Sequence, residues 1–157
     1  MPLVYITGPT GSGKSTICET LRGQGFEAYD TDHDGMRETQ IIDGKEMLTL
    51  DIEALQKLYD TAGNSLVFIC GTSLNDLDAQ NLFSKIILLT IDEARQRERI
   101  LHRTNNLYGK EPHQLANAIK WRQVQIEKYQ NAGALVIDAS QPVEDITAKI
   151  VAAVLPS

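Results

Sequence analysis

The 157-residue sequence predicts an α/β fold, a three-layer α/β/α sandwich built on a five-stranded parallel sheet. Strand-like and helix-like segments alternate along the whole chain, which favours βαβ units. The strand-like segments are apolar throughout, as expected when helices cover both faces of a sheet. Hydrophobic residues make up 42% and charged residues 23% of the chain, an ordinary globular composition. The length suits a single domain over residues 1–157.

Each predicted element has its own local signal. The first strand is an apolar, β-branched run that stops at Gly8, and the helix after the next loop places Ile17 and Leu21 on one face. The later helices either carry a similar apolar face or begin near a proline, as the fourth does at Pro112. The predicted strands lie at residues 3–7, 26–29, 65–70, 85–91 and 134–137. The predicted helices lie at residues 14–24, 51–63, 92–102, 112–132 and 142–155.

Two stretches fit this alternation less well, at residues 31–50 and 103–111. Both are polar and contain glycine together with aspartate or asparagine. Polar connecting segments of this kind carry binding and catalytic residues more often than the elements they join. We therefore expect both stretches to be mobile and functional.

Charge and hydropathy exclude several classes of function. The chain has 15 basic and 21 acidic residues, a net charge of −6, which argues against nonspecific binding to nucleic acid or to an anionic membrane. The longest apolar run, at about residues 85–91, is too short to span a bilayer, and no signal peptide is evident. Cys18 and Cys70 lie far apart without metal-type spacing, so we expect buried thiols in a reducing, cytoplasmic protein.

The strongest motif is the segment Gly-Pro-Thr-Gly-Ser-Gly-Lys-Ser, which matches the phosphate-loop pattern G-x-x-x-x-G-K-[ST] in full. Its glycines let successive N–H groups turn inward and cradle phosphate oxygens, and the helix that follows adds its positive end. Lys14 would reach the β- and γ-phosphates, and the Ser15 hydroxyl would bind Mg²⁺. The residues predicted to bind nucleotide are Gly8, Pro9, Thr10, Gly11, Ser12, Gly13, Lys14, Ser15 and Thr16.

The form of this loop from Gly8 to Thr16 resembles that of the small P-loop kinases, which include shikimate kinases, gluconate kinases and adenylate-kinase-like enzymes. The chain lacks the Asn-Lys-x-Asp segment typical of GTPases, and it is short for a transport or motor ATPase. The resemblance implies a P-loop NTPase fold with ATP and Mg²⁺ as cofactors. It also implies a segment at about residues 31–50 that covers the acceptor and a small lid at about residues 99–112.

The acidic segment Tyr-Asp-Thr-Asp after the second strand resembles the Asp-x-Asp element of shikimate kinases. The resemblance implies that Asp30, with Ser15, lies on the metal side and that Asp32 orients or deprotonates the acceptor hydroxyl. A carboxylate near the γ-phosphate can accept that proton. Asp34 could do the same work if the loop is shifted, and an acidic turn without function is the alternative.

The third strand ends at Gly71, Thr72 and Ser73, without the acidic residue that a motor ATPase would carry there. In shikimate kinases a glycine-rich substrate loop stands at this place, so the resemblance implies substrate contacts for Gly71 and Thr72. Alternatively, Thr72 or Ser73 caps a short helix. Arg37, in the segment at residues 31–50, either faces an anionic acceptor or is a surface charge.

The charged helix at residues 92–102, which follows the fourth predicted strand, resembles the lid region of small P-loop kinases. This resemblance implies that Arg99 and Arg103 neutralise the transferring phosphoryl group. Arg97 lies off that face and is better placed to pair with Glu93. On the long helix that follows, the resemblance implies a substrate-binding role for Arg122.

The leading hypothesis is an ATP- and Mg²⁺-dependent phosphotransferase that acts on a small hydroxylated metabolite, nucleoside or nucleotide. Its catalytic residues would be Lys14, Asp32, Arg99 and Arg103. The alternative is an ATP-binding switch or weak ATPase that acts through a protein partner, with slow hydrolysis that no metabolite stimulates. A kinase of nucleic-acid ends would need a basic channel, for which the net charge of −6 gives little support.

Overall fold

The computed structural model describes residues 2–32, 34–102 and 111–155. The strands are β1 (Leu3–Thr7), β2 (Glu27–Asp30), β3 (Arg37–Ile42), β4 (Lys45–Leu50), β5 (Val67–Cys70), β6 (Phe83–Thr90) and β7 (Leu135–Asp138). The α-helices are α1 (Lys14–Gly23), α2 (Ile52–Ala62), α3 (Glu93–His102), α4 (Pro112–Asn131) and α5 (Val143–Val154), and a 3-10 helix covers Asp76–Leu82. The five strands and five helices predicted from the sequence are confirmed, with ends that move by at most two residues.

Five of the strands form one parallel sheet in the order β2-β5-β1-β6-β7. The strand before the phosphate loop, β1, therefore lies at the centre of the sheet. The carboxyl ends of parallel strands meet at the same edge. The phosphate loop after β1, the acidic turn after β2 and the Gly71 loop after β5 consequently converge there.

Helices cover both faces of the sheet, as the apolar strands predicted. Alternate residues of β1 point to opposite faces: Leu3 and Tyr5 belong to one apolar cluster, and Val4 and Ile6 belong to the other. The first cluster includes residues from α2 and α4, and the second includes residues from α1 and α5. Each buried aliphatic or aromatic side chain of this kind contributes about 1.5–3 kcal/mol, so the central strand is firmly held from both sides.

A β-hairpin stands where the sequence predicted a mobile polar segment. Strands β3 and β4 pair antiparallel, with Ile42 opposite Lys45, and form a separate two-stranded sheet. Asp43 and Gly44 make the turn with φ values of 52° and 77°, the geometry that a two-residue Asp-Gly turn favours. The hairpin was missed because its residues are largely exposed and so lack an apolar pattern.

Three other predictions concern the cysteines, the lid and membrane spans. Both cysteines are free and buried, as predicted. Arg103 and most of the predicted lid lie at residues 103–110, outside the described residues. Among the helices of the described ranges, none is long and apolar enough to cross a membrane.

Candidate active site

The phosphate loop joins the central strand β1 to helix α1. Its Gly11 and Gly13 have φ values of 87° and 97°, a left-handed backbone that favours glycine. The Ser12 N–H donates to the Pro9 carbonyl over 3.0 Å and closes the turn. The loop therefore has the backbone form that its sequence pattern predicted.

Two features fit this loop to hold phosphate. Gly13 is the N-cap of α1, and no side chain caps that end of the helix within the described residues, so its first N–H groups are open to an anion. The Ser12 hydroxyl oxygen is buried and has no hydrogen-bond partner in the described part of the chain. A buried hydroxyl without a partner is unfavourable, and phosphate oxygens would satisfy it. The loop thus fits the phosphates of a nucleotide.

Lys14 is held across the loop. Its Nζ donates to the Gly8 carbonyl over 2.6 Å and to the Pro9 carbonyl over 3.1 Å. The side chain also lines the large cleft described below. An ammonium group fixed at this place can meet the β- and γ-phosphates of a bound nucleotide.

Ser15 and Asp30 bring a hydroxyl oxygen and a carboxylate together beside the loop, and both are oxygen ligands of the kind that Mg²⁺ prefers. The Ser15 hydroxyl donates to Asp30 Oδ2 over 2.8 Å, and the Asp32 N–H donates to Asp30 Oδ1 over 2.9 Å. The described residues contain no group of three or more His, Cys, Asp or Glu side chains that could hold a metal ion. Mg²⁺ usually takes only one or two protein ligands and completes its shell with water and phosphate. The Ser15–Asp30 pair fits that mode of binding.

The two acidic candidates after β2 have different surroundings. Asp32 lines the cleft, and its Oδ1 accepts from Nε of Arg37 over 3.0 Å. Asp34 instead accepts from Nη2 of Arg22 on α1 and, over 2.6 Å, from the backbone N–H of Asp30. Asp34 therefore holds the turn in shape, while Asp32 is the carboxylate available to the cleft.

Arg37, the first residue of β3, ties three segments together. Besides its contact with Asp32, its Nη1 donates to the Ser73 hydroxyl over 2.8 Å and its Nη2 to the Thr72 carbonyl over 2.9 Å. These bonds join the turn after β2, the hairpin and the loop after β5. Arg37 is thus not a free surface charge, which was one of the two sequence-based interpretations.

The loop after β5 is packed against its neighbours. A Cβ on Gly71 would stand 1.9 Å from Oγ1 of Thr31, so this position accepts no side chain without a shift. The Thr72 hydroxyl donates to the Gly8 carbonyl over 2.9 Å and lines the cleft. Gly71 is not among the lining residues. The 3-10 helix that follows has Asn75 as its N-cap, so the alternative that Thr72 or Ser73 caps it is wrong.

Arg99 lies between the phosphate loop and the loop after β7. Its Nη1 donates to the Ser12 carbonyl over 3.3 Å and its Nη2 to the Ala139 carbonyl. Burial, and then the charge of Arg95, lower the pKa of its guanidinium group. On the same helix Arg97 pairs with Glu93 at 3.9 Å, which is the ion pair that the sequence indicated.

Arg122, like Gly71, is a predicted substrate-binding residue that does not line the cleft. Its Nη1 donates to the carbonyl of Ile91 over 3.1 Å, and it is not among the residues that line the cleft. This bond joins α4 to the residue that follows strand β6. The observed contact is structural, because it joins two elements through a backbone carbonyl.

One cleft of about 1020 Å³ contains most of these groups. Its walls include the phosphate loop, Arg99, Val143 and Ile146, together with Asp32, Arg37 and Thr72. The lining residues that the sequence did not predict include Met47, Leu48 and Gln125. The Asp-Gly turn signalled the hairpin that carries the first two, whereas no local pattern distinguishes Gln125 from its neighbours on α4.

Comparison with known proteins gives a family and a fold. A family model described as an AAA domain matches residues 4–138. No curated protein matches the chain. Many solved structures do, and three of them illustrate the fold.

The shikimate kinase from Acinetobacter baumannii in complex with shikimate is 18% identical, with a TM-score of 0.69 over 98% of this chain and 93% of that one. A gluconokinase from Sinorhizobium meliloti 1021 is 18% identical, with a TM-score of 0.60 over 96% and 90%. The deoxyadenosine kinase from M. mycoides with bound dATP is 15% identical, with a TM-score of 0.57 over 96% and 98%. At these identities the likeness establishes the fold, and it confirms the predicted resemblance to the fold of small P-loop kinases.

Proposed function

The chain belongs to the AAA domain family, and on that premise we propose that it is an ATP- and Mg²⁺-dependent phosphotransferase acting on a small hydroxylated acceptor. One observation carries the proposal: a single cleft is lined both by the phosphate loop and by a carboxylate, Asp32, from the turn after β2. A kinase needs both a phosphate loop and a group that positions the acceptor hydroxyl, whereas the acidic residue that a motor ATPase would carry after β5 is replaced here by Gly71, Thr72 and Ser73. The kinases of similar fold all phosphorylate a hydroxyl-bearing small molecule, as their names indicate.

The phosphate end of the cleft would bind and orient the nucleotide. The N–H groups at the start of α1 and the Lys14 ammonium would hold the phosphates, and Arg99 would lie beside them. Ser15 and Asp30 are the residues that would hold Mg²⁺. The ion, when bound, neutralises phosphate charge. Arg103, for which we keep the predicted lid role, would add a second arginine.

The acceptor end would position the attacking hydroxyl. Asp32 would accept a hydrogen bond from the acceptor hydroxyl and take its proton as the oxygen attacks the γ-phosphorus. The bond between the γ-phosphorus and the β–γ bridging oxygen breaks, and ADP leaves. Thr72 would contribute a further polar contact from the loop after β5. Most of the rate enhancement would come from positioning and charge.

We further propose a location for such an enzyme. The two free, buried cysteines support a reducing compartment, and we propose the cytoplasm.

The test is ADP release from Mg·ATP against a panel of acceptors: shikimate, gluconate, nucleosides, nucleoside monophosphates and aminoglycoside-type alcohols. We expect one class to raise turnover by orders of magnitude over bare hydrolysis. Lys14→Ala should abolish the gain, and the exposed helix variant Lys57→Ala should retain it. ATP binding with no stimulation by any acceptor would contradict the kinase proposal and favour a switch or weak ATPase.

A further inference from the structure

The positively charged side chains that line the cleft differ in which loops they contact. Within the described part of its wall they are Lys14, Arg37 and Arg99, with His102 as a titratable neighbour. Lys14 and Arg99 both bond to carbonyls of the phosphate loop. Arg37 is therefore the described arginine or lysine at the acceptor end. Whether it is free to bind an acidic group decides which kind of acceptor fits.

Most of the N–H donors of Arg37 already form hydrogen bonds within the protein. Nε and Nη2 both donate to Asp32, Nη2 also donates to the Thr72 carbonyl, and Nη1 donates to the Ser73 hydroxyl. A guanidinium has five N–H donors, and it recognises carboxylates and phosphates by offering two of them side by side. Here the side chain is only 20% exposed. A carboxylate or phosphate on the acceptor would have to displace Asp32 to make such a two-point contact with it.

The charges of Arg37 and Asp32 also cancel. An anionic group placed beside this pair would meet no net positive charge, and it would be repelled by the carboxylate that must approach the acceptor hydroxyl. Asp32 itself remains available. Its bonds with Arg37 use Oδ1, Oδ2 makes no hydrogen bond within the described ranges, and the side chain is 42% exposed.

The remaining described walls at this end are uncharged. Met47 and Leu48 come from the hairpin, and Thr72 and Gln125 offer a hydroxyl and an amide. Leu48 is 63% exposed although it faces the cleft. A large apolar side chain left this open suits a ligand that carries an apolar surface of its own.

From these contacts we infer that the acceptor is an uncharged alcohol with an apolar face, and that Arg37 is a positioning residue for Asp32 rather than a subsite for an acidic group. The inference rests on the proposed kinase function. The acceptor O–H gives its proton to Asp32, the acceptor oxygen bonds to the γ-phosphorus, and the bond from that phosphorus to the bridging oxygen breaks to release ADP. Arg37 holds Asp32 in place throughout.

Pairs of related acceptors, one neutral and one anionic, test the substrate class. Adenosine against AMP, uridine against UMP, glucose against gluconate, and methyl shikimate against shikimate are compared by ATP-dependent turnover. In the pair that is phosphorylated, we expect kcat/KM for the neutral member to be roughly tenfold higher or more, because of repulsion near Asp32. Preference for the anionic member overturns the inference but leaves the kinase proposal standing. No stimulation by any member overturns both.

Variants of Arg37 test its role separately. Arg37→Lys keeps the charge but loses the planar set of donors. For a positioning residue, kcat falls about tenfold or more while the acceptor KM changes little, and lysine does not rescue it. An anion subsite predicts the opposite: a raised KM for an anionic acceptor that lysine largely restores.

The nitrogen resonance of Arg37 gives a readout that needs no acceptor. In ¹⁵N-arginine-labelled protein loaded with a nonhydrolysable ATP analogue, the Nε–H signal of Arg37 is identified by its loss in Arg37→Lys. We expect Asp32→Asn to move this signal and millimolar acetate or inorganic phosphate to leave it in place. A shift that saturates with acetate or phosphate would show that Arg37 is open to anions and would overturn the assignment.

Discussion

Asp32 and Asp34 stand two positions apart, yet their carboxylates perform different work. Asp34 is bound by Arg22 and by the backbone N–H of Asp30, which fixes the turn after β2. Asp32 is bound by Arg37 and lines the cleft. Only Asp32 can therefore reach an acceptor hydroxyl without breaking the turn that positions it.

Asparagine at each position separates the two roles. We expect Asp32→Asn to lower acceptor-dependent kcat by about 10²–10⁴-fold, the usual contribution of a general base, with ATP affinity preserved. Asp34→Asn should instead lower the free energy of unfolding by about 1–3 kcal/mol, since it weakens a charge-assisted hydrogen bond. Steady-state kinetics and urea unfolding of both variants measure this.

The reverse pattern would contradict the assignment. If Asp34→Asn loses the greater part of kcat while Asp32→Asn stays active, the acceptor lies nearer to Asp34, and the alternative that the sequence left open is correct.

The sequence predicted single residues well where the chemistry is local. The phosphate loop is a contiguous run whose spacing encodes its backbone, so all nine of its residues could be named. The partners of Arg37 could not be named, because Ser73 lies 36 positions away and the contact depends on how the hairpin packs. For the same reason Arg122, which lies on a helix with no local signal, was expected at the cleft but bonds to the carbonyl of Ile91.

At the scale of elements, the ends of β2 and β5 are locked by one close contact. The strands pair in parallel with Asp30 opposite Cys70, and the next residues, Thr31 and Gly71, touch. A Cβ on Gly71 would stand 1.9 Å from Thr31 Oγ1 and 3.0 Å from Thr31 Cβ. The spacing of the loops after β2 and β5 therefore depends on the absence of a side chain at Gly71.

A methyl group at this place should disturb both loops at once. We expect Gly71→Ala to lower the free energy of unfolding by about 1–3 kcal/mol, the usual range for overpacking, and to reduce acceptor-dependent kcat. Gly23→Ala is the matched control, because Gly23 is the last residue of α1 and a Cβ added there would meet nothing within 4 Å among the described residues. Urea unfolding and kinetics should show the control at least as stable as the wild type. Equal stability of the two variants would mean that the strand ends move apart at no cost, and it would contradict this prediction.

The sequence predicted the elements that bury apolar faces and missed those that do not. Four of the five strands of the parallel sheet were evident as mainly apolar runs, and β2 is the short, mixed exception. The hairpin β3–β4 was not, since Ile41 and Leu48 are 69% and 63% exposed and most of their neighbours are polar. Its Asp43-Gly44 turn was the available signal. An Asp-Gly pair between strand-forming residues is a strong local indication of a hairpin, even where apolar periodicity is missing.

Across the whole molecule, a buried carboxylate connects the core to the acceptor side. Asp76 is fully buried, and its Oδ2 accepts from Tyr5 Oη over 2.6 Å and from Tyr129 Oη. Its Oδ1 lies 3.0 Å from Nζ of Lys128, which also donates to the Ser73 carbonyl. The network thus runs from the central strand and α4 to the loop that holds Arg37. Burial, and then the charge of Asp76, raise the pKa of both tyrosines.

This network predicts loss of stability in alkali. A tyrosine whose pKa is raised by folding keeps its proton when the unfolded chain has lost it, so its contribution is complete below about pH 10 and falls as the pH rises further. Each such tyrosine adds a slope of about −1.4 kcal/mol per pH unit. We expect the free energy of unfolding of Tyr129→Phe to fall less steeply above pH 10 than that of the wild type by about this amount. Urea titrations across that range measure it, and parallel curves would refute it.

The fold as a whole does not specify the acceptor. Structures with the same architecture include a shikimate kinase, a gluconokinase and a deoxyadenosine kinase, so the scaffold accommodates different acceptors by changing the groups that line its cleft. If the chain transfers phosphate as proposed, the Asp32–Arg37 pair and the hairpin side chains that line the cleft would select its acceptor.

The most direct test of the proposed phosphotransfer is to follow the γ-phosphoryl group itself. ATP labelled with ¹⁸O in the γ-phosphate is turned over with the most effective acceptor, and mass spectrometry locates the label. We predict that the wild type delivers the labelled phosphoryl group to a hydroxyl of the acceptor, and that Asp32→Asn does so far more slowly. Recovery of the label as inorganic phosphate alone, with the acceptor unchanged at saturating concentration, would contradict this mechanism.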